Sequence, residues 1–546
     1  MRPDARTARR RGAMPLVLQA GDAEATKTAP YSWLWPDANH LIAVRRREYC
    51  VLCGIAVAPE RENVYNHGYR RWGLERAPSA FGRGSAMMDI CTEHPREECG
   101  VFGIYDPAGD CARTAYYGLY ALQHRGQEAC GIAAINDREL SFHKDVGLVG
   151  DVFTEDLLDA LGGTMAVGHV RYATTGGGRR ENAQPLSLKY VKGTLSVAHN
   201  GNLVNTDELR TMFEYRGAIF QTTTDSELIA YAIAQERLRC GSAEEAVCQA
   251  LKGLRGAWSL IVMSARKLIA GRDPWGFRPL CMGRRGDAVV FASESCALDA
   301  VGARFERDLD PGEIVVVEQG DVRSIRENCV NASSHLCIFE YIYFARPDSV
   351  ICGQSVHQAR VEAGRILARE HPVEADVVVG VPDSGIDAAM GYAQQSGIPF
   401  GQGFVKNRYI GRTFITPGQL SREQAVRIKL GPLRAAVEGR RVVMIDDSIV
   451  RGTTCRQIVE LLREAGAKEV HMRVSAPPFV APCHFGTDIP DREHLIACQH
   501  SVEEIRALIG ADSLGYLSLE ALEQIAPDAC CGFCGGCFTG TYPIPL

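Results

Sequence analysis

No apolar run in the sequence is long enough to span a bilayer, which excludes a membrane-spanning helix. Positive charge is not in surplus either: 60 Lys and Arg stand against 66 Asp and Glu, a net charge of −6. That balance argues against a general nucleic-acid or membrane-surface role. Twenty cysteines in 546 residues are too few for a disulfide scaffold, so we expect a reducing, cytoplasmic location and a few thiols with chemical roles.

Internal repeats and low-complexity tracts are also missing. What is present is an ordinary globular composition, 46% hydrophobic and 23% charged, over a length sufficient for two or three domains. The functional information is therefore expected in local motifs rather than in the overall composition.

The stretch from Val442 to Thr454 is the most informative of these motifs. It begins as a short apolar run with β-branched residues, which predicts a buried parallel strand. The run breaks at Asp446 and Asp447 and continues through small and hydroxyl-bearing residues around Gly452. Apolar residues then recur at helical spacing, at Ile458, Leu461, Leu462 and Ala465. The pattern predicts a strand, an acidic pair, a small-residue loop and a helix, which ends at Gly466.

Such a loop at a helix N-terminus suits a phosphate, because its N–H groups and the hydroxyls of Ser448, Thr453 and Thr454 are donors. The two carboxylates suit ribose hydroxyls or a hydrated Mg²⁺ ion beside a pyrophosphate. The alternative is an acidic cap on an ordinary α/β helix. The stretch resembles the phosphoribosylpyrophosphate (PRPP) signature of type I phosphoribosyltransferases. That resemblance implies PRPP contacts for Asp446, Asp447, Ser448, Ile449, Val450, Arg451, Gly452, Thr453 and Thr454.

A second predicted strand, from Asp376 to Val381, is followed by the turn-forming residues Pro382 to Gly385. In open parallel sheets, ligands bind at the edge formed by the carboxyl ends of the strands. The resemblance implies that Ser384 contacts Mg²⁺ at this edge, together with Asp446 and Asp447.

The basic stretch from Lys406 to Ile415 contains a glycine and has two interpretations. It is either a solvated loop or, as the resemblance implies, a lid that closes over PRPP. In the second case Lys406 and Arg408 would stabilise the leaving pyrophosphate and the lid would exclude water.

In the first half of the chain, Cys99 opens an apolar strand, where a thiol is most often a small buried hydrophobe. The polar motifs that follow Cys99 favour a chemical role for the thiol. These are Gln123 to Glu128, His169 to Thr174, Ala198 to Leu203 with a turn dipeptide after an apolar strand, and Thr222 to Glu227 capping a helix. Many strands and few helices predict an α+β domain of stacked sheets.

From Cys99 to about residue 330 these motifs resemble the glutaminase domain of class II amidotransferases, an N-terminal-nucleophile fold with stacked antiparallel sheets between helices. The resemblance implies that Cys99, freed as residue one by removal of a propeptide, attacks glutamine with its own α-amino group as base. Asn200 and Gly201 would hold the oxyanion, Arg171 the α-carboxylate and Asp225 the α-ammonium group. Taken singly, these residues could instead be a hairpin turn, a surface charge and a helix cap.

The C-terminal segment from Cys530 to Cys537 has two overlapping C-x-x-C pairs, which could hold zinc, an iron–sulfur cluster or a disulfide. From about residue 88 to its end, the sequence resembles the amidophosphoribosyltransferase family. One branch of that family carries a [4Fe–4S] cluster. The resemblance assigns one cluster per chain and leaves Cys530 and Cys531 spare. The implied ligands are Cys337, Cys483, Cys534 and Cys537.

This family makes 5-phosphoribosylamine, pyrophosphate and glutamate from glutamine, PRPP and water, the first step of de novo purine biosynthesis. The resemblance implies a homotetramer inhibited by purine nucleotides, with no nucleic-acid or membrane partner. Two alternatives stay open. One is a PRPP-sensing regulator without catalysis, and the other is a class II amidotransferase with a different acceptor.

Five segments are predicted along the chain. Residues 1–87 are a basic extension with 14 Lys and Arg against 8 Asp and Glu, either disordered or upstream of the true start at Met87 or Met88. Residues 88–98 are the propeptide, and the glutaminase domain covers 99–330. The α/β phosphoribosyltransferase domain, with its parallel sheet, covers 331–505. Residues 506–546 form the cysteine-rich, cluster-binding segment.

Overall fold

The computed structural model describes residues 99–172, 179–329, 333–408 and 422–546, with side chains of the last range described from residue 426. The predicted extension 1–87, the propeptide 88–98 and residues 409–415 of the predicted lid lie outside the described residues. No described helix is both long and apolar enough to cross a membrane.

The first half of the described chain is dominated by strands. Its strands are β1 Gly100–Tyr105, β2 Ala129–Asn136, β3 Glu139–Val146, β4 Met165–Arg171, β5 Leu186–Tyr190, β6 Gly193–Leu203, β7 Gly256–Ser264, β8 Lys267–Arg272, β9 Cys281–Arg285, β10 Ala288–Ala292, β11 Arg304–Asp308, β12 Ile314–Glu318 and β13 Asp321–Ile325. Its helices are α1 Cys111–Ala121, α2 Val149–Val152, α3 Glu155–Leu161, α4 Thr206–Tyr215, α5 Asp225–Arg237, α6 Ala243–Leu251 and α7 Ser295–Ala300.

These strands form two antiparallel sheets. The seven-stranded sheet has the order β11-β9-β10-β1-β4-β2-β3, and the six-stranded sheet has the order β13-β12-β8-β7-β6-β5. Fully buried side chains such as Val101, Ile261 and Phe291 fill the space between them, each contributing about 1.5–3 kcal/mol to folding. Helix α1 packs on the first sheet and α5 on the second. The predicted stack of antiparallel sheets between helices is confirmed.

The second half alternates strands and helices. Its strands are β14 Leu336–Cys337, β15 Val350–Ile351, β16 Gln354–Ser355, β17 Val377–Gly380, β18 Phe404–Lys406, β19 Leu430–Pro432, β20 Arg441–Asp446, β21 Glu469–Val474, β22 Ser513–Tyr516 and β23 Phe533–Cys534. Its helices are α8 Val356–Glu370, α9 Gly385–Ser396, α10 Arg422–Lys429, α11 Arg434–Val437, α12 Thr453–Glu464, α13 Ile496–Gln499, α14 Val502–Ile509 and α15 Gly536–Thr539.

The main sheet of this half is parallel, as predicted, with the order β17-β20-β21-β22. Helices α8 and α9 cover one face, and α12 and α14 cover the other. In α12 the apolar residues predicted at helical spacing are buried against the sheet, and Gly466 follows the helix in the left-handed region at φ 96°. Strand β22 comes from the cysteine-rich segment, so that segment also contributes to the sheet.

Candidate active sites

A pocket in the first half collects most of the residues predicted to bind glutamine. Strands β1 and β4, the end of β6 and the start of α5 converge on it. Among the predicted residues, the lining includes Cys99, Arg171, Gly201 and Asp225. The other lining residues are Tyr172, Gln184, His199, Thr224 and Ser226.

Cys99 lies just before β1 and is partly exposed. Gly100 pairs with Val170 of β4, which places Cys99 beside the end of that strand. The Cys99 thiol donates to the backbone carbonyl of Tyr172 at 3.6 Å. The backbone carbonyl of Cys99 accepts a hydrogen bond from Arg125 Nε at 3.1 Å. The backbone of the predicted nucleophile is therefore held from a second segment, which positions the thiol at the pocket.

Asn200 and Gly201 do not form the predicted turn. They lie inside β6 and pair with Ser259 and Trp258 of β7, because the apolar strand continues to Leu203. Gly201 has φ 140°, and a Cβ there would lie 2.1 Å from the carbonyl oxygen of Ala257. The buried side-chain nitrogen of Asn200 has no hydrogen-bond partner among the described residues. An unused buried donor costs about 1–3 kcal/mol, and such a donor is available to a developing oxyanion.

Arg171 and Asp225 supply the opposite charges of the pocket. Arg171 ends β4 and is 3% exposed. Asp225 accepts a hydrogen bond from the Leu203 N–H at 3.0 Å and lies 3.5 Å from His199 Nδ1. Burial raises the pKa of Asp225, but the His199 charge and backbone N–H groups outweigh it and bring the pKa below its usual value. Its carboxylate is therefore ionised and able to bind an ammonium group.

The predicted cap of the following helix is partly wrong. Helix α5 does begin at Asp225, but its N-cap residue, Thr224, makes no capping hydrogen bond with its side chain. Instead the Glu227 carboxylate accepts from the backbone N–H groups of Gln221 and Thr222 at 2.9 and 2.7 Å. A carboxylate in the first turn stabilises the helix through its dipole, and it leaves Thr224 to face the pocket.

Sequence reasoning missed two buried polar residues of this site. Gln184 binds the backbone of His199 twice, at 2.8 and 3.3 Å. His199 Nδ1 in turn lies 3.2 Å from the Ser226 hydroxyl. For His199 the available signal was its position directly after the run Leu195 to Ala198, because a polar side chain buried in a strand needs hydrogen-bond partners. Together these residues hold the end of β6 against the start of α5.

The second site lies at the carboxyl edge of the parallel sheet, where β20 ends at Asp446 and α12 begins at Thr453. Asp446 and Asp447 are 1% and 0% exposed. The two oxygens of Asp447 accept hydrogen bonds from the hydroxyls of Ser384 and Ser448, each at 2.5 Å. The structure therefore joins the loop after β17 to the acidic pair, which the sequence places 63 residues apart.

Lys406 reaches the same edge from β18. Its ammonium group forms an ion pair with Asp383 at 2.5 Å, in the loop between β17 and α9. Asp383 was not predicted as a site residue, although it stands in the predicted turn. Arg408 is exposed, and the remainder of the predicted lid, from residue 409, lies outside the described residues.

The four predicted cluster cysteines also come together. Cys337 and Cys534 are register partners in the parallel pair β14 and β23, and Cys537 lies buried in α15. Burial raises the pKa of the Cys537 thiol, and the charges of Cys483, Cys337 and Cys534 raise it further. Thiolates are the usual ligands of iron–sulfur clusters, so the chemistry of this set of side chains is of the right type.

Among the residues that the structure describes, no group of three or more His, Cys, Asp or Glu side chains is placed so that it could hold a metal ion. Magnesium is commonly held by one or two carboxylates with substrate phosphates and waters. The oxygen donors of Ser384, Asp446 and Asp447 are of the ligand type that this mode uses.

Comparisons with known proteins find the same two kinds of domain. Residues 169–300 match a model for the glutamine amidotransferase domain, and residues 357–478 match one for the phosphoribosyl transferase domain. The structure resembles that of the glutamine PRPP amidotransferase from B. subtilis complexed with ADP and GMP. The TM-score is 0.76 at 49% identity, covering 82% of this chain and 97% of that one. A structure of an allosteric regulatory enzyme of purine biosynthesis gives a TM-score of 0.77 with the same identity and coverage.

Curated relatives extend this likeness along the chain. The amidophosphoribosyltransferase of Methanocaldococcus jannaschii is 48% identical over 463 residues, covering 82% of this chain and 98% of the relative. That of Bacillus subtilis is 50% identical over 455 residues, covering 82% and 95%. Identity of this degree across both domains shows that the chain belongs to the amidophosphoribosyltransferase family.

Proposed function

We propose that this chain converts glutamine, PRPP and water to 5-phosphoribosylamine, pyrophosphate and glutamate, with the roles that the sequence predicts for its site residues. The observation that carries the proposal is the presence of two complementary sites in one chain. One is a pocket with a thiol and opposite charges for an amino acid. The other is an acidic pair and hydroxyl-rich loop before a helix, suited to a ribose phosphate.

At the first site, the Cys99 sulfur attacks the side-chain amide carbon of glutamine. The resulting oxyanion accepts hydrogen bonds from the Asn200 side chain and the Gly201 N–H, while Arg171 and Asp225 hold the α-carboxylate and α-ammonium groups. Ammonia leaves after protonation, and water hydrolyses the thioester to glutamate. The unpartnered nitrogen of Asn200 supports this role, because the oxyanion would satisfy it.

At the second site, ammonia displaces pyrophosphate from C1 of PRPP. The N–H groups and hydroxyls from Ser448 to Thr454 bind the phosphate, and Asp446 and Asp447 bind the ribose hydroxyls. Ser384 and these carboxylates would hold Mg²⁺ there, and bound Mg²⁺ would neutralise charge on the pyrophosphate. Lys406, at the same edge of the sheet, stabilises the leaving group, and water must be kept away from C1.

A single assay of the purified protein tests this function against the two alternatives. With glutamine and PRPP we expect glutamate and pyrophosphate to form in equal amounts. A PRPP-sensing regulator would release neither product. A class II amidotransferase with another acceptor would release glutamate but no pyrophosphate.

We further propose that Cys337, Cys483, Cys534 and Cys537 hold one [4Fe–4S] cluster with a structural role. Anaerobically purified protein should contain about four iron and four sulfide per chain. Serine at any of these four positions should remove the brown colour and destabilise the fold, because the cluster would tie the C-terminal segment to β14. Cys531→Ser is the matched control and should keep the colour. A colourless, active protein containing zinc would contradict the assignment.

Processing at Cys99 is a separate proposal. The base at this site is the α-amino group of Cys99, so we expect the mature protein to begin at Cys99 after self-cleavage of residues 88–98. An uncleaved chain would carry an amide there and have no such base. Intact mass and N-terminal sequencing check this. An active enzyme whose first residue lies upstream of Cys99 would show that another group is the base.

The remaining features of the family are proposals for this chain. Purine nucleotides are proposed as inhibitors, supported by the ADP and GMP bound to the B. subtilis relative. A homotetramer and a cytoplasmic location are proposed as well. The five segments 1–87, 88–98, 99–330, 331–505 and 506–546 are proposed as the domain layout.

A further inference from the structure

Four charged side chains lie buried together where the two halves of the chain meet. Arg125, Arg278, Glu294 and Glu340 are each between 0% and 1% exposed. The first three belong to the amidotransferase half. Glu340 begins a short π-helix, Glu340–Phe344, in the phosphoribosyltransferase half. Buried charges are costly unless each is paired and hydrogen-bonded, and these four are bonded to one another and to neighbouring polar groups.

Arg125 connects the glutamine site to Glu340. Its Nε donates to the backbone carbonyl of Cys99 at 3.1 Å. Its two terminal nitrogens donate to the two oxygens of Glu340 at 2.9 and 2.7 Å, and one of them also donates to Glu294 at 2.6 Å. A bidentate pair fixes both position and orientation, so Glu340 determines where the guanidinium that holds Cys99 lies.

Arg278 makes the second connection. One of its terminal nitrogens lies 3.6 Å from Glu340. The guanidinium also donates to the carbonyl of Phe485 at 3.1 and 2.6 Å. The next residue, Gly486, lies against Gly201, since a Cβ on Gly486 would be 3.3 Å from the Gly201 carbonyl carbon. Glu340 therefore reaches both the nucleophile and the strand segment proposed to hold the oxyanion.

The π-helix is also held from within its own half of the chain. The buried guanidinium of Arg360, in α8, donates to backbone carbonyls of the π-helix and of the residue that directly follows it. The acceptors are the carbonyls of Tyr341 at 2.7 Å, Tyr343 at 2.9 Å and Ala345 at 2.8 Å. The helix that carries Glu340 is thus held in place by α8.

We propose that Glu340 is a positioning residue for the glutamine site, supplied by the phosphoribosyltransferase half. Its carboxylate holds Arg125 on the Cys99 carbonyl and Arg278 on the segment Phe485 to Gly486, which lies against Gly201. The distance between the Cys99 thiol and the oxyanion donors is thereby kept constant. The inference rests on the proposed function of Cys99. It makes the rate of glutamine hydrolysis depend on a side chain that touches neither glutamine nor PRPP.

Glu340→Gln tests this in the full chain, because it keeps the shape and removes the charge. We expect the kcat of glutamine hydrolysis to fall about 10- to 100-fold, the cost of a small misplacement of reacting groups. The KM for glutamine should change less than about threefold, since Arg171 and Asp225 are untouched. Ammonia-dependent synthesis should stay within about twofold of wild type. Glu362→Gln, at a surface ion pair of α8 with Arg365, is the matched control and should change neither activity.

A purely structural role would lower both activities together, and that result would overturn the proposal. Unchanged hydrolysis in Glu340→Gln, or a raised KM with an unchanged kcat, would also overturn it. If Glu340→Gln does not fold, Glu340→Asp carries the test, because it keeps the charge but is one methylene too short for the bidentate contact. The same fall in kcat with ammonia-dependent synthesis unchanged is expected there.

Arg125→Gln and the double variant with Glu340→Gln show whether the two residues act through one another or independently. If Glu340 acts through Arg125, the double variant loses no more than the worse single variant. If the fold-losses of the two single variants instead multiply in the double variant, Glu340 does not act through Arg125. Failure of the proposed function is a different result, in which the wild-type protein itself lacks glutamine hydrolysis or ammonia-dependent synthesis.

Discussion

Replacing Cys99 with alanine is expected to lower glutamine-dependent synthesis of 5-phosphoribosylamine by at least about 10⁴-fold, since loss of a nucleophile removes the covalent route entirely. Synthesis from ammonia should stay within about twofold of wild type, because the second site needs only ammonia and PRPP. The two rates, measured on the same preparation by pyrophosphate release, check the expectation.

A second cysteine of the same half provides the control. Cys240 is partly exposed, follows α5, and is absent from the lining of the glutamine pocket. Cys240→Ala removes the same sulfur chemistry and should leave both activities unchanged. Loss of both activities in a folded Cys99→Ala protein would refute the assignment of two separate sites.

The second large effect is expected at the acidic pair. Asp446→Asn and Asp447→Asn should each lower synthesis from both nitrogen sources by at least about 100-fold, because each removes a charge that the ribose hydroxyls and magnesium would use. The amide keeps the size of the side chain, so the buried position stays filled. Basal glutamine hydrolysis should survive, since the glutamine pocket lies in the other half. Separate assays of glutamate and pyrophosphate measure the two effects.

Asp376 offers a matched control, because it lies beside the start of β20, the strand that ends at Asp446. It forms an exposed ion pair with Arg441, the first residue of β20, at 3.0 Å. Asp376→Asn also replaces a carboxylate by an amide of equal size and should lower neither activity, because an exposed ion pair contributes little to stability. PRPP turnover near the wild-type rate in both Asp446→Asn and Asp447→Asn would show that the signature has another role.

Several elements could be read from the sequence because their evidence is local. The run from Val442 to Thr454 predicts a strand, an acidic pair and a helix, and β20 and α12 have those positions. Many short strands and few helices likewise predicted the stacked sheets of the first half. Such patterns depend only on the period of apolar residues and on the residues that interrupt them. By contrast, the turn expected at Asn200 and Gly201 was wrong because pairing with β7 continues the strand through them.

The sequence by itself determined the residue types and the chemistry they can perform: a thiol, a set of opposite charges, an acidic pair and a group of cysteines. Only the tertiary structure decided which of them meet. Ser384 reaches Asp447 because β17 and β20 are parallel neighbours in one sheet. Arg125 joins Cys99 to Glu340, which lies 215 positions after Arg125 in the sequence. Long-range contacts of this kind depend on how sheets and helices pack, because no local period encodes which buried charge will compensate another.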